Sequence, residues 1–348
     1  MSQSATNLSP RVAPATAAPF DSPSALLERS LALVADDLVL AERRLHELLE
    51  SSVAVIPDVV GHLAFAGGKR FRPLLTLLCA RAAGVVDPAR ITVAAVGELL
   101  HTATLLHDDV IDEGAFRRGR PAARMAYGNG MAVLSGDYCL ARSLQAIAMT
   151  GHARAVHTLA DTVTHMAEGE VAQLEHAGSF SLDRERYGAV IERKTAALIA
   201  WCSSVAELVD ERYVEPLRRY GYELGFAFQI ADDVLDVRAP AEGIGAAGKD
   251  PGQDLRDGKM TLPIIVACER DVGLRQRVEA ALEAGPPMPD DVVESILHGI
   301  LRTDAVSVAA AVAMEHAERA ISMLNVLPPS EARDALTAVA HYVVRRTT

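Results

Sequence analysis

The sequence predicts an all-α fold, and three observations carry that expectation. Half of the 348 residues are hydrophobic but only 4% are aromatic, so the apolar content is mostly Ala, Leu, Val and Ile, in stretches that also hold Arg and Glu and favour helix. Apolar residues recur at helical spacing almost to the end of the chain, beginning with Leu26, Leu27, Leu31, Leu33 and Val34. No segment shows the alternation and hairpin turns that mark strands, and no fixed-period repeat is present.

Residues 1–20 are rich in Ala, Ser, Thr and Pro, with Arg11 as their single charge. They read as a flexible N-terminal tail; a transit peptide would be Arg-rich and amphipathic. From residue 21 a single helical domain is expected to run to 348. Ser22 and Pro23 suit the cap and first turn of its first helix. Breaks between helices fall near Gly67-Gly68, Asp87-Pro88, Gly119 to Pro121, Gly128 to Gly130, Gly178, Pro240 to Gly252 and Gly285 to Pro289. None is long enough to link separate domains.

The charge balance, 34 basic against 46 acidic residues, is −12. It argues against a nucleic-acid partner, which needs clustered Lys and Arg, and is compatible with divalent cations. The longest uncharged runs, such as 195–206, hold about 12 residues, short of the roughly 18 to 20 that span a bilayer. A cytoplasmic chain without a transmembrane segment is expected, with only transient membrane contact possible for releasing product. Cys79, Cys139, Cys202 and Cys268 are widely spaced and form no CxxC pair, so they read as buried thiols in a reducing compartment.

One local similarity stands out: LLHDDVID at 105–112 is echoed by QIADDVLD at 229–236. On a helix, residues four apart share a face, so Asp108 lies beside Asp112 and Asp232 beside Asp236. Such stacked carboxylates repel unless a cation lies between them, and oxygen-only clusters suit Mg²⁺ held together with substrate phosphates. Acidic pairs are also ordinary helix surface. Asp36-Asp37 and Asp290-Asp291 serve as controls, and neither has an Arg-Arg-Gly downstream. Around the two motifs the cations accumulate: Lys69, Arg70 and Arg72 in a turn opened by Gly67-Gly68, then Arg117-Arg118, Lys194, Lys249 and Lys259. Singly each reads as a surface ion pair; together they read as diphosphate clamps.

In chain order, GGKRFRP (67–73), LLHDDVID with FRRG (116–119), GDY (136–138), EGE with Gln173, KTAAL (194–198), FQIADDVLD (228–236), Gly248-Lys249 and GKMTLP (258–263) make the sequence strongly resemble all-trans isoprenyl (polyprenyl) diphosphate synthases. The resemblance covers about residues 25–346. It implies antiparallel helices around a deep central cavity, a homodimer, and two substrates, isopentenyl diphosphate and an allylic diphosphate. Asp108, Asp112 and Asp232 resemble the ligands of a cluster of about three Mg²⁺ ions, with Asp109 and Asp236 in support. Lys69, Arg72, His101 and Arg118 match the isopentenyl diphosphate site. Arg117, Lys194, Thr195, Gln229, Lys249 and Lys259 match groups around the allylic diphosphate, and of these Arg117, Lys194 and Gln229 join the aspartates as catalytic residues. Arg70 is expected at the surface, His107 beside Asp108 either orients a carboxylate or is structural, and Phe228 either faces a cation or packs in the core. The Ala/Gly-rich run 239–248 departs from the family's more polar pattern there.

A product chain would run beside the helix that ends at Asp108, where each turn of about 5.4 Å matches one isoprene unit. Ala103 and Thr104 fall at the position of its floor, and small residues there leave a tunnel open for a medium- or long-chain product, as in quinone side chains. The alternative is a short-chain geranylgeranyl or farnesyl diphosphate synthase with a deeper floor at Leu99 or Val96, or at a facing Leu75 or Met131. A non-catalytic subunit of a heteromeric synthase would lose one motif, and a terpene cyclase would not need Lys69, Arg72 and His101.

Overall fold

The computed structural model describes residues 23–67, 70–117, 119–238, 251–285 and 287–345. The expected tail, and with it Lys69, Arg118 and Lys249, lies outside the described residues. Helices account for nearly all regular structure, as the composition predicts. They are α1 (Pro23–Leu33), α2 (Ala35–Leu49), α3 (Val55–Ala64), α4 (Phe71–Ala82), α5 (Ala89–Ile111), α6 (Ala123–Tyr127), α7 (Asn129–Ala148), α8 (Ala153–His176) and α9 (Arg184–Ile191). After a π-helical turn, Glu192–Ala196, come α10 (Ala197–Ser203), α11 (Val214–Val237), α12 (Gln253–Arg256), α13 (Leu262–Arg270), α14 (Val272–Glu283), α15 (Asp290–Leu301), α16 (Ala305–Met323) and α17 (Glu331–Arg345).

Two long helices organise the rest. α5 packs against α2, α3, α4 and α7, whereas α11 packs against α10, α16 and α17; α4 and α10 join the two groups. The joining helices are largely buried: nine residues of α4 from Pro73 to Ala82, and every residue of α10. α5 is long and apolar enough to cross a membrane, but 61% of that stretch is buried among its neighbours and it ends in aspartates, which is the pattern of a core helix. All four cysteines are buried and unpaired.

α11 approaches the π turn and α10 unusually closely. A methyl group added at Gly225 would meet the Ala196 Cα at 2.5 Å, and one at Gly221 would meet the Ala200 Cα at 2.5 Å. On the other side, one at Gly169 of α8 would meet the Lys194 amide nitrogen at 2.8 Å. Glycine at these three positions lets the π turn lie between α8 and α11. An extra residue per turn at that point re-aims the side chains it carries, Lys194 and Thr195.

Two features differ from the sequence expectation. A two-residue antiparallel ribbon, Phe116–Arg117 with Arg120–Pro121, closes the Arg-Arg-Gly turn; at that length it leaves no periodic signature. Arg70 is not a surface residue. It caps α4 in a left-handed conformation (φ 47°), and its guanidinium reaches the Ala64 carbonyl and Glu42, both at 2.7 Å, and Glu98 at 3.4 Å. Arg70 thus bolts the turn before α4 to α2, α3 and α5, beside an apolar groove of about 320 Å³ lined by Leu31, Leu38, Leu45, Pro73 and Ala95.

Candidate active site

Both aspartate motifs sit in last helical turns. Asp108 and Asp109 end α5, with Asp112 as its C-cap, and Asp232, Asp233 and Asp236 end α11. Apolar residues preceding each motif anchor the helices in the core, for example Leu106 and Ile230, so the carboxylates emerge from a rigid base. The two controls behave as plain surface: Asp37 pairs with Arg90 at 3.0 Å and Asp290 with Arg256 at 2.9 Å.

Asp108 is the electrostatically strained group of the first motif. Burial raises its carboxyl to about 6, Glu170 and Asp112 push the same way, and Lys194 and Arg117 oppose them. Asp109 is fully buried; its Oδ1 accepts from Arg117 Nε at 2.8 Å and Nη2 at 2.7 Å, while its Oδ2 has no partner among the described residues. Arg117 therefore closes the loop after α5 onto the motif. Arg124 supports that loop by donating to the carbonyls of Glu113 at 2.7 Å and Gly114 at 3.2 Å.

Lys259 connects the motifs. Its ammonium lies 2.9 Å from Asp257 and 3.7 Å from Asp112. Burial disfavours the charge, but Asp112, Asp257 and Asp254 outweigh it and hold the amine protonated well above its ordinary range. The segment bearing Lys259 is anchored on the second motif, since Asp236 accepts from the amides of Gln253 at 3.1 Å and Asp254 at 3.2 Å.

Lys194 pairs with Glu170 of α8 and lies within the field of Asp108. Beside it, Thr195 Oγ1 donates to Gln229 Oε1 at 2.9 Å, and Gln229 Nε2 donates to Asp233 Oδ1 at 2.9 Å. Asp233 Oδ2 accepts from the Tyr187 hydroxyl at 2.5 Å. Burial, with Asp254 and Asp232 nearby, raises the Asp233 carboxyl, against the two hydrogen bonds that lower it.

Of the residues expected at the isopentenyl site, Arg72 and His101 are described, and they occupy the α4–α5 contact. Arg72 packs against Gly97 and near Cys202, and His101 lies one turn beyond Gly97 on the same face of α5. His107 turns away from the aspartates toward α7, with Nε2 at 3.2 Å from the Val133 carbonyl and 3.3 Å from Asp137; it packs on Gly136 and is structural. Phe228 meets Phe71 with ring centroids 5.4 Å apart. Ala103 is buried and Thr104 half-buried, whereas Met131 is 42% exposed and cannot serve as a buried facing wall within this chain.

Among the described residues no three acidic, His or Cys side chains already form a metal-binding group. The donor set nonetheless fits Mg²⁺. It is all oxygen, Asp112 adds to the cost of ionising Asp108, and Asp109 Oδ2 has no partner among the described residues. Asp108, Asp112 and Asp232 are the residues that could hold the metal. Glu170, which closes the EGE motif, and Asp233, inside the second aspartate motif, lie in motifs read from the sequence without a role being assigned to them; Tyr187, Asp254 and Asp257 lie outside those motifs, Asp257 two residues before Lys259.

A family model described as polyprenyl synthetase matches residues 53–299. The octaprenyl diphosphate synthase of Escherichia coli (strain K12) is 36% identical over 324 residues, covering 92% of this chain and 99% of that one. The nonaprenyl diphosphate synthase of Mycobacterium tuberculosis is 36% identical over 87% of this chain and 91% of its own. Among solved structures, a decaprenyl diphosphate synthase from Rhodobacter capsulatus superposes with a TM-score of 0.86 at 37% identity, over 92% of this chain and 99% of that one. A polyprenyl synthase from Caulobacter crescentus, complexed with calcium and isoprenyl diphosphate, gives 0.87 at 35% identity, covering 92% and 98%.

Proposed function

The chain belongs to the polyprenyl synthetase family, and from that membership we propose that it condenses an allylic diphosphate with isopentenyl diphosphate to build an all-trans polyprenyl diphosphate of medium or long chain. The observation that carries the site assignment is the link through Lys259 between Asp112 and the segment anchored on Asp236, with Lys194 set in the field of Asp108. Breaking the allylic carbon–oxygen bond develops negative charge on the departing diphosphate. Asp108, Asp112 and Asp232 would hold Mg²⁺, which would supply Lewis-acid stabilisation of that charge. Arg117, Lys194 and Lys259 surround it with fixed positive charge, preorganised by Asp109, Glu170 and Asp257. Lys249 is assigned to the same diphosphate.

Arg72 and His101, with Lys69 and Arg118, orient isopentenyl diphosphate so that its double bond attacks the allylic carbon. Apolar side chains around the site, Phe71 and Phe228 among them, exclude water that would quench the cation. Formation of the new carbon–carbon bond is followed by loss of a proton to an oxygen of the departed diphosphate, which restores an alkene. Ala103 and Thr104 let the product extend along α5.

The medium- or long-chain reading draws on small Ala103 and on relatives named octaprenyl and nonaprenyl diphosphate synthases. The test is purified protein with Mg²⁺, isopentenyl diphosphate and a series of allylic primers, followed by chromatography of the dephosphorylated products. A ladder ending at a long polyprenol is expected. Failure to consume isopentenyl diphosphate would refute the reading and favour a non-catalytic subunit or a cyclase.

A further inference from the structure

We propose that Tyr187, which lies outside every motif, is a positioning residue that sets the orientation of the Gln229 amide and, through it, the direction in which Thr195 presents its oxygen. The inference rests on the prenyltransferase reading above. Tyr187 projects from α9, and its hydroxyl donates to Asp233 Oδ2 at 2.5 Å. That hydrogen bond fixes the rotation of the Asp233 carboxyl and so holds its Oδ1 toward the Gln229 side-chain nitrogen, 2.9 Å away.

An amide has one donor end and one acceptor end, so turning its nitrogen to Asp233 turns its carbonyl the other way. That carbonyl lies 2.9 Å from Thr195 Oγ1, and the only hydrogen available for this contact is the threonine hydroxyl. Having given up its single hydrogen, Thr195 has only lone pairs to offer any other neighbour. The π turn that carries it also carries Lys194, which faces the first aspartate motif. Positive charge develops on the allylic carbon next to the diphosphate, so an oxygen that offers only lone pairs there is favourable. A hydroxyl hydrogen pointing the same way is not.

Without the Tyr187 hydroxyl the relay loses its direction: Asp233 would be free to rotate away from the Gln229 nitrogen, and the amide, no longer held at that end, could turn over and release Thr195. The Tyr187 phenol oxygen also faces the Leu262 amide, so the residue ties α9 and α11 to the start of α13. That second contact is structural, and the experiment separates it from the first.

The experiment compares wild type with Tyr187→Phe, which keeps the ring and removes the hydroxyl, alone and combined with Thr195→Val. We expect kcat for chain elongation to fall about 10-fold or more in Tyr187→Phe with both KM values within about twofold of wild type, since orientation is lost and diphosphate binding is kept. In the Thr195→Val background the same change should cost little more, because both act through one chain of contacts. A second readout needs no turnover. In protein labelled with ¹⁵N-glutamine, with the Gln229 signal identified by Gln229→Leu, its side-chain amide hydrogens should exchange slowly in wild type and rapidly in Tyr187→Phe.

An unchanged kcat, losses that multiply fully in the double variant, or fast exchange of the Gln229 amide in wild type would overturn the proposal. A wild-type protein that consumes no isopentenyl diphosphate would instead overturn the functional reading; the amide exchange would still report on the relay.

Discussion

Gly225→Ala tests whether the approach of α11 to the π turn places the reacting groups. An added methyl would stand 2.5 Å from the Ala196 Cα and 2.7 Å from its Cβ, whereas carbon atoms in contact prefer about 3.5 to 4.0 Å. Backbone on one side and a Cβ on the other leave no flexible group to yield, so the two elements must separate by about 1 Å. Overpacking of this kind costs about 1 to 3 kcal/mol, offset in part by the roughly 1 kcal/mol by which alanine favours helix over glycine. The functional cost is larger. Thr195 and Gln229 are carried by the elements that separate, and a displacement of about 1 Å in a reacting constellation can cost about 100-fold in rate. Gly188→Ala in α9 is the control, because a methyl there meets only a Phe226 ring carbon at 3.8 Å. Urea denaturation and steady-state kinetics on the two variants decide the matter. Gly188→Ala should match or exceed wild type in stability, and Gly225→Ala should lose about 100-fold in kcat/KM while still folding. Equal activity in both variants would refute the argument that glycine at 225 sets the site geometry.

Asp108 sets a pH dependence. Its carboxyl is raised to about 6 from 3.8, so in metal-free protein the folded chain holds a proton that the unfolded chain releases. Its contribution to stability is therefore present at low pH and falls as pH rises from about 4 to about 6. Because Mg²⁺ competes with that proton, the rise in melting temperature on adding Mg²⁺ should grow as pH passes through about 6, and Asp108→Asn should flatten the trend. Lys259→Met should weaken activation by Mg²⁺ by about 10- to 100-fold, since it releases Asp112 and leaves Asp257 without its buried partner; titration of activity against Mg²⁺ would show it. Ala103→Phe should shorten the products on chromatography, and an unchanged product profile would sink the placement of the growing chain along α5.

What the sequence discloses and what it hides divide along the reach of local spacing. Asp108 with Asp112 and Asp232 with Asp236 are visible because helix geometry alone makes them neighbours. Helix starts and stops at Pro23, Gly128 and Gly285 are visible for similarly local reasons. Arg70 reads wrongly as surface because the groups that bury it, Glu42 and Glu98, come from distant turns of other helices. The π turn is hidden because its cause is not in residues 192–196. It lies in the absence of side chains at Gly169 and Gly225, far away in the chain. Tyr187 and Asp254 are likewise ordinary in sequence and acquire a part only when α9, α11 and the segment after residue 251 meet.

The placing of both aspartate motifs in terminal helical turns has a consequence for how ligands arrive. α5 and α11 each end there with the negative pole of a helix, and each adds carboxylates to that pole. A bare diphosphate approaching this end of the bundle meets like charge from two helices before it can reach Lys194 or Lys259. Neutralised by divalent cations, the same ligand is drawn in by the field that would otherwise turn it away. On the proposed assignment, isopentenyl diphosphate, directed to Arg72 at the start of α4 and to His101 of α5, would be spared that barrier. The two substrates, alike in their charged heads, would thereby be sorted by electrostatics before any fit of their hydrocarbon tails comes into play.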